Sequence, residues 1–264
     1  MNTHQRLQQF NLTALAVLAM MALSIEPAAS DWYVRGALGY ERSEDADLSD
    51  ADCASKAPPA LFGCARGPDG RPIGAYGDFG SGPLWELAVG RRFLPWLRGD
   101  LSVAYRGDLD FDGNANFLGV GTRQPASGEL ESWTGMLNLF TNLDTLTKID
   151  LGIVEPYIGV GIGVARNELG RLRFSFPENT GNHRYSVIPS GERWEVAYTL
   201  ALGTGIRIGD RTTLDIALRY NDLGEVGSNR GRMAMNTLPD GIVIDRIQTG
   251  LRTYGVSVGF RYRF

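Results

Sequence analysis

His183 and Ser186 place an imidazole three residues from a hydroxyl, the smallest set of groups for nucleophilic acyl transfer. The imidazole could take the proton and the hydroxyl could attack. A membrane acyl hydrolase is the activity such a pair would serve. His4 is the only other histidine. Residues three apart on a strand point to opposite faces, and no carboxylate is tied to the pair. The sequence therefore predicts no enzyme and implies no cofactor.

Other candidate chemistry is equally thin. Gly159, Gly161 and Gly163 lack the GxGxxG spacing and the following helix of a dinucleotide site. Arg98–Asp100 and Arg106–Asp108 both spell RGD, an adhesion signal when carried on a loop. The first falls inside a predicted strand, while the second straddles a strand exit. Glu41, Glu44, Asp45, Asp47, Asp50 and Asp52 form an acidic run whose oxygens could hold calcium. A solvated surface loop is the plainer reading of that run. Cys53 and Cys64 have no histidine beside them, which makes a poor zinc site. In an exported chain they are expected to form a disulfide.

The charged residues with a pattern are twelve: Arg35, Glu86, Arg92, Arg98, Asp100, Arg106, Glu195, Arg207, Asp215, Arg219, Arg261 and Arg263. Each alternates with apolar residues along an extended segment. In the closing stretch LRTYGVSVGFRYRF, Tyr254, Val256, Val258, Phe260, Tyr262 and Phe264 share one parity. Gly255, Ser257, Gly259, Arg261 and Arg263 share the other. A strand sends these two sets to opposite faces. In lipid the greasy set would face outward and the charged set inward.

The elements that must position these charges follow from the rest of the chain. Residues 1–30 carry Arg6, the apolar run LTALAVLAMMALSI and the small residues of PAAS, the layout of a cleaved signal peptide. That apolar run is short for a membrane span. Glycine makes up 34 of 264 residues, well above the usual ~7%. The formal net charge of −4 gives no nucleic-acid footprint.

Eight alternating strands are predicted: 32–41, 84–93, 97–107, about 131–143, 156–165, 193–208, 213–222 and the closing segment. Long connections at about 42–83, 108–130, 166–192 and 223–249 alternate with short ones. That rhythm, with an even strand count, predicts a single all-β domain over 31–264, an eight-stranded antiparallel transmembrane β-barrel with both termini periplasmic. A soluble lipocalin-like barrel is the rival, but an inner set of Gly, Ala and Arg could not fill a dry core. The inward charges must pair or keep water. They read as a packed polar interior, with a narrow porin passing small solutes along an arginine-lined path as the alternative. An interior of eight strands is only wide enough for its own side chains, which favours packing.

WYVRGALGY (32–40), MLNLF (136–140), PYIGVGIGVA (156–165), AYTLALGTGIRIGDRTTLDIALRY (197–220) and the terminal RYRF carry a family resemblance. Together they resemble the small outer-membrane barrels of the opacity and surface-antigen type, up-and-down and OmpA/OmpX-like. The resemblance implies residence in the outer membrane of a Gram-negative bacterium, as a monomer and without catalytic activity. It implies contacts with outer-membrane lipid, with the insertion machinery, and with surface or host ligands through the loops. It also implies that Phe264 is read as a C-terminal assembly signal. No nucleic-acid partner is implied.

Overall fold

The computed structural model describes residues 31–264; the predicted signal peptide lies outside the described residues. Fourteen strands are present among them. In chain order they are β1 (Trp32–Ser43), β2 (Asp45–Asp50), β3 (Ala75–Asp78), β4 (Ser81–Leu94), β5 (Leu97–Ala115), β6 (Pro125–Asn142), β7 (Val154–Leu169), β8 (Leu172–Ser175), β9 (Tyr185–Ile188), β10 (Gly191–Arg207), β11 (Thr212–Gly227), β12 (Gly231–Met235), β13 (Leu238–Ile244) and β14 (Ile247–Arg263). One short helix, α1 (Leu143–Thr147), turns the chain between β6 and β7.

All fourteen strands join one sheet. Its long strands pair antiparallel in the sequence β1–β4–β5–β6–β7–β10–β11–β14, and β14 pairs back with β1. The register β1 to β14 runs from Tyr33 opposite Arg263 to Ser43 opposite Thr253.

The expected eight-stranded, OmpA/OmpX-like barrel of the opacity type is thereby corrected: the sheet has fourteen strands. The predicted loops contain further strands. β2 and β3 fall within 42–83, β8 and β9 within 166–192, and β12 and β13 within 223–249. The segment 108–130 is mostly the extension of β5 to Ala115 and the early start of β6 at Pro125. These short strands bury Leu48, Ala75, Phe174, Ile188, Met233 and Ile244 in a shared core. Their stability comes from that burial, and four to seven residues carry too little alternation to announce a strand.

Two zones differ in polarity. Near the termini the outward face is apolar and the enclosed face is charged. On β5, Leu101 is 66% exposed while its neighbour Asp100 is 3% exposed. A soluble sheet would reverse this, whereas lipid explains it. The apolar belt is bordered by aromatic side chains. Tyr40, Trp85, Trp194 and Tyr254 mark its far edge; Trp32, Phe93 and Tyr262 mark the edge near the termini. Tyr254 to Tyr262 spans roughly 27 Å of strand at ~3.4 Å per residue, comparable with the ~25 Å lipid-facing band of such proteins.

Beyond the far aromatic edge lies a cap with an ordinary apolar interior. Phe62, Phe117, Phe174 and Phe176 cluster there, with ring centroids 5.3 to 6.1 Å apart. On β5 the change of zone is built by a bulge between Arg106 and Leu109. Asp108 sits there at φ 56°. The extra residue switches parity, so Arg106 points inward below it and Leu109 and Phe111 point inward above it.

Candidate functional site

The enclosed charges sit in three groups. In the middle one, Glu86 of β4 accepts from Arg35 of β1 and from Arg219 of β11, whose Nη2 lies 2.9 Å from Oε1. The other arm of Arg35 reaches Asp100 Oδ2 at 3.3 Å. The Tyr33 hydroxyl donates to the same oxygen at 3.2 Å, and Asn138 Nδ2 donates to Asp100 Oδ1 at 2.8 Å. Three strands, β1, β6 and β11, thus tie their side chains to two carboxylates on β4 and β5. Such pairs are held by the completeness of their partners, since desolvation of each ion costs several kcal/mol.

Toward the cap, Glu41 accepts from Arg106 Nε at 2.7 Å, Thr253 at 2.8 Å and Asn221 at 3.1 Å. Toward the termini, Arg261 donates to Asp215 at 3.1 Å and to Glu155 at 3.3 Å. Arg207 approaches the other oxygen of Glu155 at 3.4 Å.

Arg35, Glu86, Asp100, Arg106, Arg207, Asp215, Arg219 and Arg261 are thus brought into ion pairs. Four other sequence candidates stand apart. The Arg98 guanidinium lies over Phe140 and Tyr157, 4.2 and 4.6 Å from their ring centroids. It is 2% exposed, and none of its nitrogens has a hydrogen-bond partner among the described residues. Arg92 lies half-buried at the end of β4 near the termini. Arg263 is exposed and donates to the Asp210 carbonyl at 3.0 Å. Glu195 is half-buried beneath the cap, where a side chain at Gly224 would collide with it.

Sequence reasoning missed two carboxylates, Glu41 and Glu155. Glu41 was expected at the start of an acidic loop, but β1 continues to Ser43 and turns it inward. Glu155 precedes a proline, yet β7 already starts at Val154. Parity alone would have found both: the predicted strand 32–41 already puts Glu41 on the face of Arg35, and 156–165 needs one more residue to include Glu155.

Gly159 and Gly161 of β7 face side chains of the adjacent strand β6. A Cβ at Gly159 would lie 2.5 Å from the Phe140 ring, and one at Gly161 would overlap the Asn138 amide. The glycines therefore accept side chains from the adjacent β6, and Arg98 then stacks on Phe140.

The remaining motifs resolve as follows. Cys53 and Cys64 are bonded, with Cα atoms 4.9 Å apart. Asp50 fastens the same excursion by accepting the backbone N–H groups of Leu61, Phe62 and Gly63 at 2.9, 2.9 and 2.7 Å. Burial lifts its carboxyl above the ordinary value, against the pull of those N–H groups. Asp245 lies nearby: its backbone N–H donates to Pro59 at 2.9 Å, and its carboxylate accepts from Arg230 Nε at 2.6 Å. Arg230 holds the Asp245 pKa down to about 2.

Of the acidic run, Glu41 is committed to Arg106 and Asp50 to backbone. Among the described residues no group of three or more His, Cys, Asp or Glu is placed to hold a metal. Both RGD arginines are buried in the interior.

His183 and Ser186 do meet: His183 Nε2 and Ser186 Oγ are 2.9 Å apart. The strand-parity expectation fails here because His183 precedes β9 and lies outside any strand. Ser186 is buried between β8 and β12, and the His183 ring packs on Phe176 at 4.9 Å. No carboxylate is bonded to the imidazole among the described residues, so the pair lacks the orienting third group of a triad.

The family model for the outer membrane protein beta-barrel domain matches residues 12–264. This broader family, together with the fourteen strands, replaces the expected assignment to the small opacity and surface-antigen type. An uncharacterized protein of Brucella abortus (strain 2308) is 26% identical over 262 residues, covering 90% of this chain and 87% of that one. An uncharacterized protein of Brucella melitensis matches to the same extent. Among solved structures, outer membrane protein OprG from Pseudomonas aeruginosa aligns with a TM-score of 0.49 at 12% identity, covering 89% of this chain and 97% of that one. Outer membrane protease OmpT from Escherichia coli aligns with a TM-score of 0.47 at 10% identity, covering 91% and 99%.

Proposed function

The chain belongs to the outer membrane protein beta-barrel domain family, and on that premise we propose that it is a non-conducting surface protein of the Gram-negative outer membrane. The observation that carries this reading is a doubly filled interior. Charge clusters around Glu86, Glu41 and Arg261 occupy the belt, and an apolar core occupies the cap. Eight of the charged residues named from the sequence, Arg35, Glu86, Asp100, Arg106, Arg207, Asp215, Arg219 and Arg261, serve together with Glu41 and Glu155 to hold the strands in register. They do not conduct.

In this reading residues 1–30 are removed on export and both termini lie in the periplasm. The protein is a monomer whose cap faces outward and supplies contacts with host, surface or envelope partners. A folded cap suits that task better than free loops, because less order is lost on binding. Purified protein in planar bilayers is expected to show no steady conductance. A reproducible ohmic pore, widened by Arg219→Ala, would reassign the protein as a narrow porin.

Phe264 is proposed as the residue read by the insertion machinery. Its backbone N–H donates to Trp32 O at 3.1 Å, and its ring packs edge-on to Tyr262 at 5.7 Å. Deleting it should lower assembly in cells sharply while leaving folding into detergent nearly intact. Normal outer-membrane levels of the truncated chain would leave Phe264 an ordinary interfacial aromatic.

A further inference from the structure

A cavity of about 660 Å3 opens at the end of the molecule near the termini. Five arginines line it: Arg92, Arg207, Arg211, Arg261 and Arg263. The carboxylates lining it are Asp31, Glu155 and Asp210. Positive charge is therefore in excess at this mouth, although the chain as a whole carries −4.

The arginines are not equally committed. Arg261 and Arg207 are bound to Glu155, and Arg261 also to Asp215. Arg263 is held only by a backbone carbonyl. Arg92 and Arg211 have no carboxylate within ion-pair distance among the described residues. Arg92 is half-buried, so its charge is not simply dispersed in bulk water. Directly opposite it in the register of β4 and β5 lies Arg98. Arg98 is buried with three unpartnered guanidinium nitrogens. Tyr33, which forms part of the cavity wall, lies between this Arg98 and Arg261, with both guanidiniums within 6 Å of its ring centroid.

We propose that this mouth binds a phosphate group. A guanidinium offers paired N–H donors that match two oxygens of phosphate. Arg92 and Arg211 supply uncommitted forks, and the Thr213 hydroxyl on the wall adds a neutral donor. The cavity is larger than a bare phosphate needs and lies within the usual ~300–1,000 Å3 of small-molecule sites. A phosphoester with an organic substituent fits it best. Trp32 and Tyr262 place the mouth at the level of the membrane interface. The phosphate therefore has two sources: a phospholipid headgroup, or a soluble phosphoester.

The test uses the full folded chain in a maltoside detergent, in phosphate-free buffer with fixed chloride. Glycerol 3-phosphate is titrated by calorimetry. In parallel, protein extracted from phosphatidylglycerol bilayers is weighed by native mass spectrometry. Saturable glycerol 3-phosphate binding, weakened at least about tenfold by Arg92→Gln, assigns a soluble phosphoester. Phosphatidylglycerol adducts that Arg92→Gln abolishes, without soluble binding, assign a headgroup. Arg123→Gln, in the cap, should change neither. If Arg92→Gln does not fold, judged by heat-dependent gel mobility, Arg211→Gln takes its place. Absence of both kinds of binding overturns the proposal, as does binding that neither variant weakens. Conductance plays no part in these readouts, so the site stands or falls separately from the non-conducting reading.

Discussion

The belt and the cap share the long strands, to which the cap adds six short ones, yet their interiors obey opposite rules. Below the far aromatic edge the interior holds Arg35, Glu86, Asp100 and Arg219. Above it, extensions of the same strands enclose Phe111, Leu130, Leu169 and Leu251. The difference follows the surroundings. Where lipid lies outside, the apolar side chains are spent on the outer face and polar groups are turned in. Where water lies outside, the polar groups turn out and the apolar ones form a core. Ser132, Asn167, Asn221 and Thr253 sit at the boundary and hydrogen-bond across it.

The two interiors should therefore fail differently. The largest effect is expected in the belt. Glu86→Gln leaves Arg35 and Arg219 facing a neutral amide while both remain enclosed. Breaking one partner of a buried pair costs about 3–5 kcal/mol, which should appear in urea titration of the protein folded in lipid vesicles. The double variant Glu86→Met with Arg219→Met should cost less than the single one, because it leaves no buried Arg219 without its carboxylate, while Arg35 keeps Asp100 at 3.3 Å in both. A double variant weaker than Glu86→Gln would mean that the belt is held by net attraction and not by mutual satisfaction.

In the cap the corresponding change is Phe174→Ala. Phe174 is fully enclosed and touches the rings of Phe62 and Phe117 edge-on. Its truncation should cost about 3 kcal/mol through lost burial and a cavity. The loss should be local: limited proteolysis should open the cap between the long strands while the belt stays protected. If Phe174→Ala instead lowered protection in β14 below Tyr254, the two zones would be one cooperative unit.

The belt was legible in the sequence and the cap was not. Alternation from Tyr254 to Phe264, and from Arg98 to Arg106, is long enough to show period two; Val256, Val258 and Phe260 lie outward and Ser257 and Arg261 inward as it implies, while Arg263 at the strand end is exposed. The cap has no such run. Ala75–Asp78 and Tyr185–Ile188 are too short to show a period. The inward residues of β5 change parity at Asp108, so Leu109 and Phe111 look like loop residues if the strand is read straight through. The disulfide was legible from export and cysteine count, but the anchoring of its loop by Asp50 and Asp245 depends on contacts between distant segments.

The smallest expected effect sharpens the comparison within the cap, where two neighbouring carboxyls should titrate on opposite sides of the ordinary aspartate value of ~3.9. Arg230 holds Asp245 at about 2. A depressed folded pKa means that its contribution is present above ~3.9 and is lost as the pH falls toward 2. Glu178, bonded to the backbone N–H groups of Thr122 and Arg123, and Asp69, bonded to Asn116, are also lowered and act with the same sign. Asp50 is raised by burial and by the nearness of Asp245. Its folded form binds the proton more readily than the unfolded chain, so acidification through its folded pKa adds stability. Cap stability should therefore rise slightly as the pH falls toward ~4 and then decline toward pH 2. Carboxyl carbon chemical shifts of Asp50 and Asp245, followed from pH 6 to 2, measure the two midpoints directly. Asp245→Asn should remove part of the acid decline, and Asp50→Asn should remove the rise that precedes it. A midpoint for Asp50 below that of Asp245 would show that the three N–H groups of Leu61, Phe62 and Gly63 outweigh burial, and that the disulfide-closed excursion is wetter than its packing implies.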